Sequence, residues 1–138
     1  MALILDTGPL YASLDRRDTH HAASRELLSS TQEALVIPAP VLVEVDWLIR
    51  TRLHAGVFNA LLDDIASGAY VVEDPTPMDY VRIREICDTY SDSDIGFVDA
   101  SVVTVAERLG EEKIASIDHR HLGIIRPRHV RAFRLLPD

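Results

Sequence analysis

Four carboxylates stand where ordinary surface acids are uncommon. Asp6 directly follows the unbroken apolar run Leu3-Ile4-Leu5, and Asp118 directly follows Ile114-Ala115-Ser116-Ile117. A charge at the end of a buried strand is costly unless something compensates it. Glu44 lies one turn into a helical stretch that opens at Pro40. At ~100° per residue it shares a side with Val41 and Leu48, while Asp46 points the opposite way and marks the solvent side. Asp99 sits near the start of another helical stretch, beside Val102, Val103 and Ala106. Each acid alone also reads as a helix cap or a surface ion pair. A helix N-terminus favours an anion by only ~0.3–1 kcal/mol, far too little to hold four of them together. Converging acids persist when a cation neutralises them or when some take up protons. Hard oxygen donors with no paired cysteine or clustered histidine suit magnesium or manganese rather than zinc.

Positioning them requires strands that end at a common edge. Residues 2 to 5 read as a strand covered on both faces. A short helix is expected over Pro9–Asp15, and a helix capped by Thr19 runs to about Ser29. Ala34–Ile37 is a second buried strand, closed by Pro38. Pro40 starts a helix reaching about His54, since proline is tolerated in a first turn. Val57–Ser67 is a helix stopped by Gly68, and Ala69–Glu73 a short strand. Thr76 and Asp79 form a capping pair for a helix to about Tyr90. A polar loop at Ser91–Asp94 precedes a helix over Phe97–Leu109, ended by Gly110. A strand at Ile114–Ile117, a basic loop at His119–Arg131 and a last strand at Ala132–Leu136 complete the chain. Strands alternating with helices predict an α/β layer fold around a mainly parallel sheet. In such a sheet the carboxyl ends of the strands form the ligand edge, where Asp6 and Asp118 fall.

The 138 residues match one domain, with 47% hydrophobic content to fill its core. The whole of 1–138 is therefore expected to be a single domain. No run of about 18 apolar residues exists to span a membrane. The N-terminal apolar run is too short for a signal peptide, so a soluble cytoplasmic protein is expected. The single cysteine, Cys87, cannot form an internal disulfide and reads as buried packing. Net charge is −8, which by itself argues against a polyanion. The distribution reverses that argument. Residues 119 to 138 hold five arginines against one acid, a balance of +4, which leaves −12 on residues 1 to 118. An acidic body with a basic edge can hold metal ions and keep a polyanion beside them.

The ordered set Ile4-Leu5-Asp6-Thr7-Gly8-Pro9-Leu10, Glu44, Val98-Asp99-Ala100-Ser101 and Ser116-Ile117-Asp118 resembles the PIN-domain ribonucleases. Among them it looks most like the VapC toxins of bacterial toxin–antitoxin pairs. The resemblance covers nearly the whole chain and implies a three-layer PIN-like fold with a mainly parallel central sheet flanked by helices. It implies a Mg2+- or Mn2+-dependent endoribonuclease, a homodimer, and silencing by a cognate VapB-type antitoxin. The family's acidic quartet falls on Asp6, Glu44, Asp99 and Asp118, expected as both catalytic residues and metal ligands. Its small hydroxyl residues fall on Thr7 and Ser116, with Ser116 in place of the more usual threonine. Asp94 is an extra acid with two readings, a peripheral ligand or a loop cap.

On that resemblance the substrate is RNA, tRNA or an rRNA loop, whose exposed backbone a shallow cleft can reach. Arg120 is the first choice for a phosphate contact, followed by Arg16 and Arg17. His20 and His21 are expected as plain surface or half-buried histidines, and Trp47 as core. Val57, Phe58, Leu61 and Leu62 are expected mostly in the core. Two alternatives stand beside the nuclease. One is a phosphatase with a nucleophilic Asp6, although Gly8 occupies the position where such enzymes carry a second Asp. The other is a non-catalytic PIN-like module for RNA binding or assembly. Asp6-Thr7-Gly8 also opens aspartic-protease sites, but those belong to an all-β fold.

Overall fold

The computed structural model describes residues 1–138. In chain order the elements are β1 (Ala2–Leu5), α1 (Thr7–Ala12), α2 (His21–Ser30), β2 (Ala34–Pro38), α3 (Ala39–Arg52) and α4 (Ala55–Ala66). They continue with β3 (Val71–Glu73), α5 (Pro77–Thr89), a 3-10 turn at Ser91–Ser93, α6 (Phe97–Leu109), β4 (Lys113–Ala115), α7 (His119–Ile124) and β5 (Arg134–Leu136). The five strands form one sheet in the order β3-β2-β1-β4-β5. Every pairing is parallel, so the mainly parallel expectation becomes an all-parallel sheet.

β1 lies at the centre because all four of its residues are apolar and buried, as a strand covered on both faces demands. From β1 the chain moves to β2 and β3 on one side and later to β4 and β5 on the other. The strand order therefore reverses at β1. In open parallel sheets the crevice at that reversal, outside the carboxyl ends of the strands, is where ligands bind.

Several helix limits follow from local chemistry. α5 begins with a complete capping box, in which Thr76 accepts from the Asp79 N–H and the Asp79 carboxylate accepts from the Thr76 N–H. α6 ends at Gly110, whose φ of +70° is the left-handed conformation that glycine adopts without strain. α5 and α6 are further clamped by a two-bond ion pair from Arg82 to Glu107, at 2.8 and 2.9 Å. Arg108 adds a bond to the buried Asp79 at 2.8 Å.

Some expected limits move. Thr19 does not cap α2, because His20 occupies the cap position without a side-chain bond. The strand expected to end at Ile117 stops at Ala115, and the basic stretch after it winds into α7. The helical signal there was hidden because only Leu122 among its residues is buried. Trp47, expected in the core, is 59% exposed. Val43 lies one turn before it at 74%, so this face of α3 has no covering layer. Cys87 is half-buried against the core, as are Val57 and Phe58; Leu61 is buried and Leu62 exposed. No helix is long and apolar enough to cross a membrane.

Candidate active site

Asp6 leaves β1 where the sheet ladder is still intact, its N–H bonding the carbonyl of Ala115 at 2.9 Å. Its φ and ψ are extended, and it serves as the cap of α1. Asp6 therefore both caps α1 and lines a cleft. One carboxylate oxygen accepts from the Thr7 N–H at 2.8 Å, and the other from the Ser116 hydroxyl at 3.1 Å. Ser116 is fully buried and its own N–H is held by the Leu136 carbonyl at 2.8 Å. Gly8 allows the close approach of α1 to the chain after β4, since a Cβ there would lie 3.2 Å from Ile117.

Asp6, Thr7, Glu44, Asp99 and Asp118 line one cleft of about 360 Å³, joined by Gly8, Tyr11, Asp18, His20, Leu48, Arg52 and Ile117. Four segments far apart in the chain are brought to one place at the carboxyl edge of the sheet. Burial raises the Asp6 carboxyl from 3.8 to about 6, with the Asp99 and Glu44 charges adding to it against the bonds from Thr7 and Ser116. Asp99 is raised in the same direction, first by burial and further by the charges of Glu44 and Asp118. These effects record two shielded carboxylates, Asp6 and Asp99, held near the charges of Glu44 and Asp118.

Asp118 is arranged differently from expectation. It caps α7, accepts from the His121 N–H at 3.3 Å and also pairs with His121 Nδ1. Burial works to raise its pKa, but the His121 side-chain and backbone bonds outweigh it and hold the carboxyl below the usual range. Its position in a turn after the strand, rather than at the strand end, leaves the carboxylate half exposed. Glu44 is exposed, whereas Asp46 is only partly so and pairs with Arg50 at 3.3 Å. The expectation that Asp46 is the solvent-side residue therefore fails on burial, although Asp46 does lie outside the cleft. Glu44 is exposed because it also borders the uncovered α3 face, a groove of about 730 Å³ shared with Val43, Trp47, Leu48 and Phe97.

The donor set is all hard oxygen, which fits magnesium or manganese. The Thr7 hydroxyl is buried with no partner inside the protein, as expected of a group that bonds a metal-held water. No three His, Cys, Asp or Glu side chains close into a direct cage.

The arginines are distributed in an unexpected way. Arg16 and Arg17 are exposed and outside the cleft. Arg120 lines an adjoining cavity of about 400 Å³ with Asp92, Ser93, Asp94, His121 and Ile124. Asp94 belongs to that second cavity, in a left-handed conformation at φ +57°. The arginine that does line the acidic cleft is Arg52. No local sequence signal separates it from Arg50, the other cation in the last turn of α3. His20 lines the cleft as well.

The PIN domain family profile matches residues 3–124. The chain is 32% identical over 135 residues to Ribonuclease VapC26 of Mycobacterium tuberculosis, covering 98% of this chain and 100% of that protein. Among solved structures it resembles Mycobacterium tuberculosis VapC20, a sarcin–ricin-loop-cleaving toxin. The TM-score is 0.81 at 21% identity, over 94% of this chain and 98% of that one. It also resembles VapBC2 from Rickettsia felis, solved bound to a promoter DNA fragment, with TM-score 0.71 at 14% identity over 99% and 100% of the two chains.

Proposed function

This chain belongs to the PIN domain family, and on that premise we propose that it is a divalent-metal-dependent endoribonuclease, the toxin of a toxin–antitoxin pair. The observation that carries the proposal is the convergence of Asp6, Glu44, Asp99 and Asp118 on one cleft at the point where the strand order reverses. Kinship with a ribonuclease over the full chain supports the same activity. The phosphatase alternative is weaker because Gly8 stands where such enzymes carry a second Asp.

Asp6 and Asp99, the more shielded acids, would be the closest ligands of Mg2+ or Mn2+, with Glu44 and Asp118 completing the shell through water. When bound, the metal supplies a more acidic water and relieves charge on the phosphoryl oxygens. The protein's part is orientation. Thr7 and Ser116 fix the two oxygens of Asp6, and the free Thr7 hydroxyl is placed to hold a water. Any of the four cleft carboxylates would orient such a water and accept its proton. His121 fixes the Asp118 carboxylate through its backbone N–H and its ring. Arg120, Arg16 and Arg17 remain candidates for more distant phosphates of a tRNA or rRNA loop.

Two macromolecular partners belong to this reading, a second copy of the chain and a VapB-type antitoxin. The related fold in complexes such as the DNA-bound VapBC of Salmonella typhimurium, at TM-score 0.70, supports the antitoxin. The uncovered face with Val43, Trp47 and Phe97 supports an apolar contact with one of them. The whole of 1–138 would act as one domain.

The decisive experiment is cleavage-site mapping on total cellular RNA with the purified chain and Asp6→Asn, with Mn2+ and with EDTA. Discrete cuts that need both Mn2+ and Asp6 are expected. Equal cutting by the variant would place the activity elsewhere.

A further inference from the structure

The cleft that would receive a phosphodiester strand is lined by five carboxylates, Asp6, Asp18, Glu44, Asp99 and Asp118, and by a single arginine, Arg52. Arg52 takes part in none of the ion pairs of the chain. Other arginines near acids are already committed. Arg82 is bound to Glu107, Arg108 to Asp79 and Glu73, Arg128 to Glu85, and Arg50 to Asp46. Arg52 is instead held by a ring. Its guanidinium carbon lies 5.4 Å from the centroid of Tyr11. Tyr11 is itself buried and fixed, its hydroxyl donating to Asp15 at 2.5 Å. Asp15 is anchored in turn by the Arg17 N–H at 3.0 Å.

We infer that Arg52 is a substrate-positioning residue that grips an RNA phosphate at the rim of the acidic cleft, with Tyr11 and Asp15 as its mount. This rests on the nuclease reading of the same cleft. Three features carry it. A guanidinium offers a planar fork of donors that matches two phosphate oxygens. The nearby Asp15 charge acts only through space, and no carboxylate lies within ion-pair distance of the guanidinium. Its stacking on a buried ring reduces the side-chain freedom lost when it binds. A purely structural role as a cation at the end of α3 would be shared by Arg50, which is in the same last turn but does not line the cleft. Arg50 is therefore the internal control.

The test measures two quantities on wild type, Arg52→Gln, Arg52→Lys and Arg50→Gln. The first is cleavage of a labelled single-stranded RNA in Mn2+ across substrate concentration. The second is anisotropy binding of the same RNA in Ca2+ across salt concentration. Arg52→Gln is expected to raise KM and Kd roughly tenfold or more, leave kcat within about twofold, and reduce the salt slope by about 0.7, one phosphate contact on a single strand. Arg52→Lys should keep most of the slope and recover part of the affinity. Arg50→Gln should match wild type. Unchanged KM, Kd and slope in Arg52→Gln would overturn the inference, as would an equal loss in Arg50→Gln. A wild type that binds RNA through Arg52 but cuts nothing in Mn2+ would support the contact and sink the nuclease reading instead.

Discussion

Ser116 donates its hydroxyl to Asp6 across 3.1 Å, bonding the end of β4 to the end of β1 from positions 110 residues apart. The bond is buried and favours the ionised carboxylate. Ser116→Ala would leave that oxygen of Asp6 without its donor. Ionisation then becomes harder, so the acid limb of the pH–rate profile should move to higher pH. Cleavage at pH 7 should fall roughly tenfold, the value of one hydrogen bond to a charged group. An unchanged acid limb would mean that Ser116 serves the fold alone.

The buried Asp6 makes the metal-free protein sensitive to pH in an unusual direction. Its carboxyl titrates at about 6 in the folded chain, against 3.8 as its ordinary value. Between those values the folded chain binds a proton that the unfolded chain has released. Stability from this group is therefore full below 3.8 and declines as pH rises to about 6. The loss amounts to about 3 kcal/mol. Thermal unfolding in EDTA should show a higher midpoint at pH 5 than at pH 7. Asp6→Asn should remove most of that difference, leaving the smaller same-direction share of Asp99. Added Mn2+ at pH 7 should raise the wild-type midpoint and leave Asp6→Asn nearly unmoved.

The four acids are not equivalent in their surroundings, and their substitutions should rank accordingly. Asp6→Asn and Asp99→Asn should each cost about a thousandfold in Mn2+-dependent cleavage, roughly 4 kcal/mol. Glu44→Gln should cost less, because water reaches the exposed Glu44 and can replace part of its role. Asp118→Asn should cost least, about tenfold, since His121 already engages that carboxylate. Initial rates on one labelled RNA check the order, and an Asp118 variant as dead as Asp6→Asn would reverse it.

Trp47 and Val43 form an apolar patch on α3 that no other element covers. If a second copy covers it, wild type should sediment as a dimer and Trp47→Asp as a monomer. The unfolding midpoint of the variant at low protein concentration should shift by no more than about 0.5 kcal/mol allows, because an exposed side chain contributes little to the monomer. A Trp47→Asp dimer would move the contact to another face.

Much of the fold was legible locally. The run Leu3-Ile4-Leu5 announced a strand covered on both faces, Thr76 with Asp79 announced a helix start, and Gly110 announced a helix end at its observed place. The acids were legible because Asp6 and Asp99 interrupt or flank apolar runs, and an anion in that setting needs an explanation. α7 was not legible, because a six-residue helix with one buried side chain carries almost no periodic signal. Nor was the exposure of Trp47, since a large apolar side chain reads as core until the neighbouring layers are known.

The amino-acid sequence by itself determined the alternation of strands and helices, the parallel sheet and the family to which the chain belongs. These depend on burial and turn chemistry within a few residues, which are written into composition and spacing. Only the tertiary structure decided which charges meet. Asp118 turns to His121, Arg50 is spent on Asp46, and Arg52, two residues on, rests on Tyr11 and faces the cleft. Electrostatic partners are chosen by distance in space, and a chain that folds its strands out of sequential order sets those distances only once the sheet is assembled.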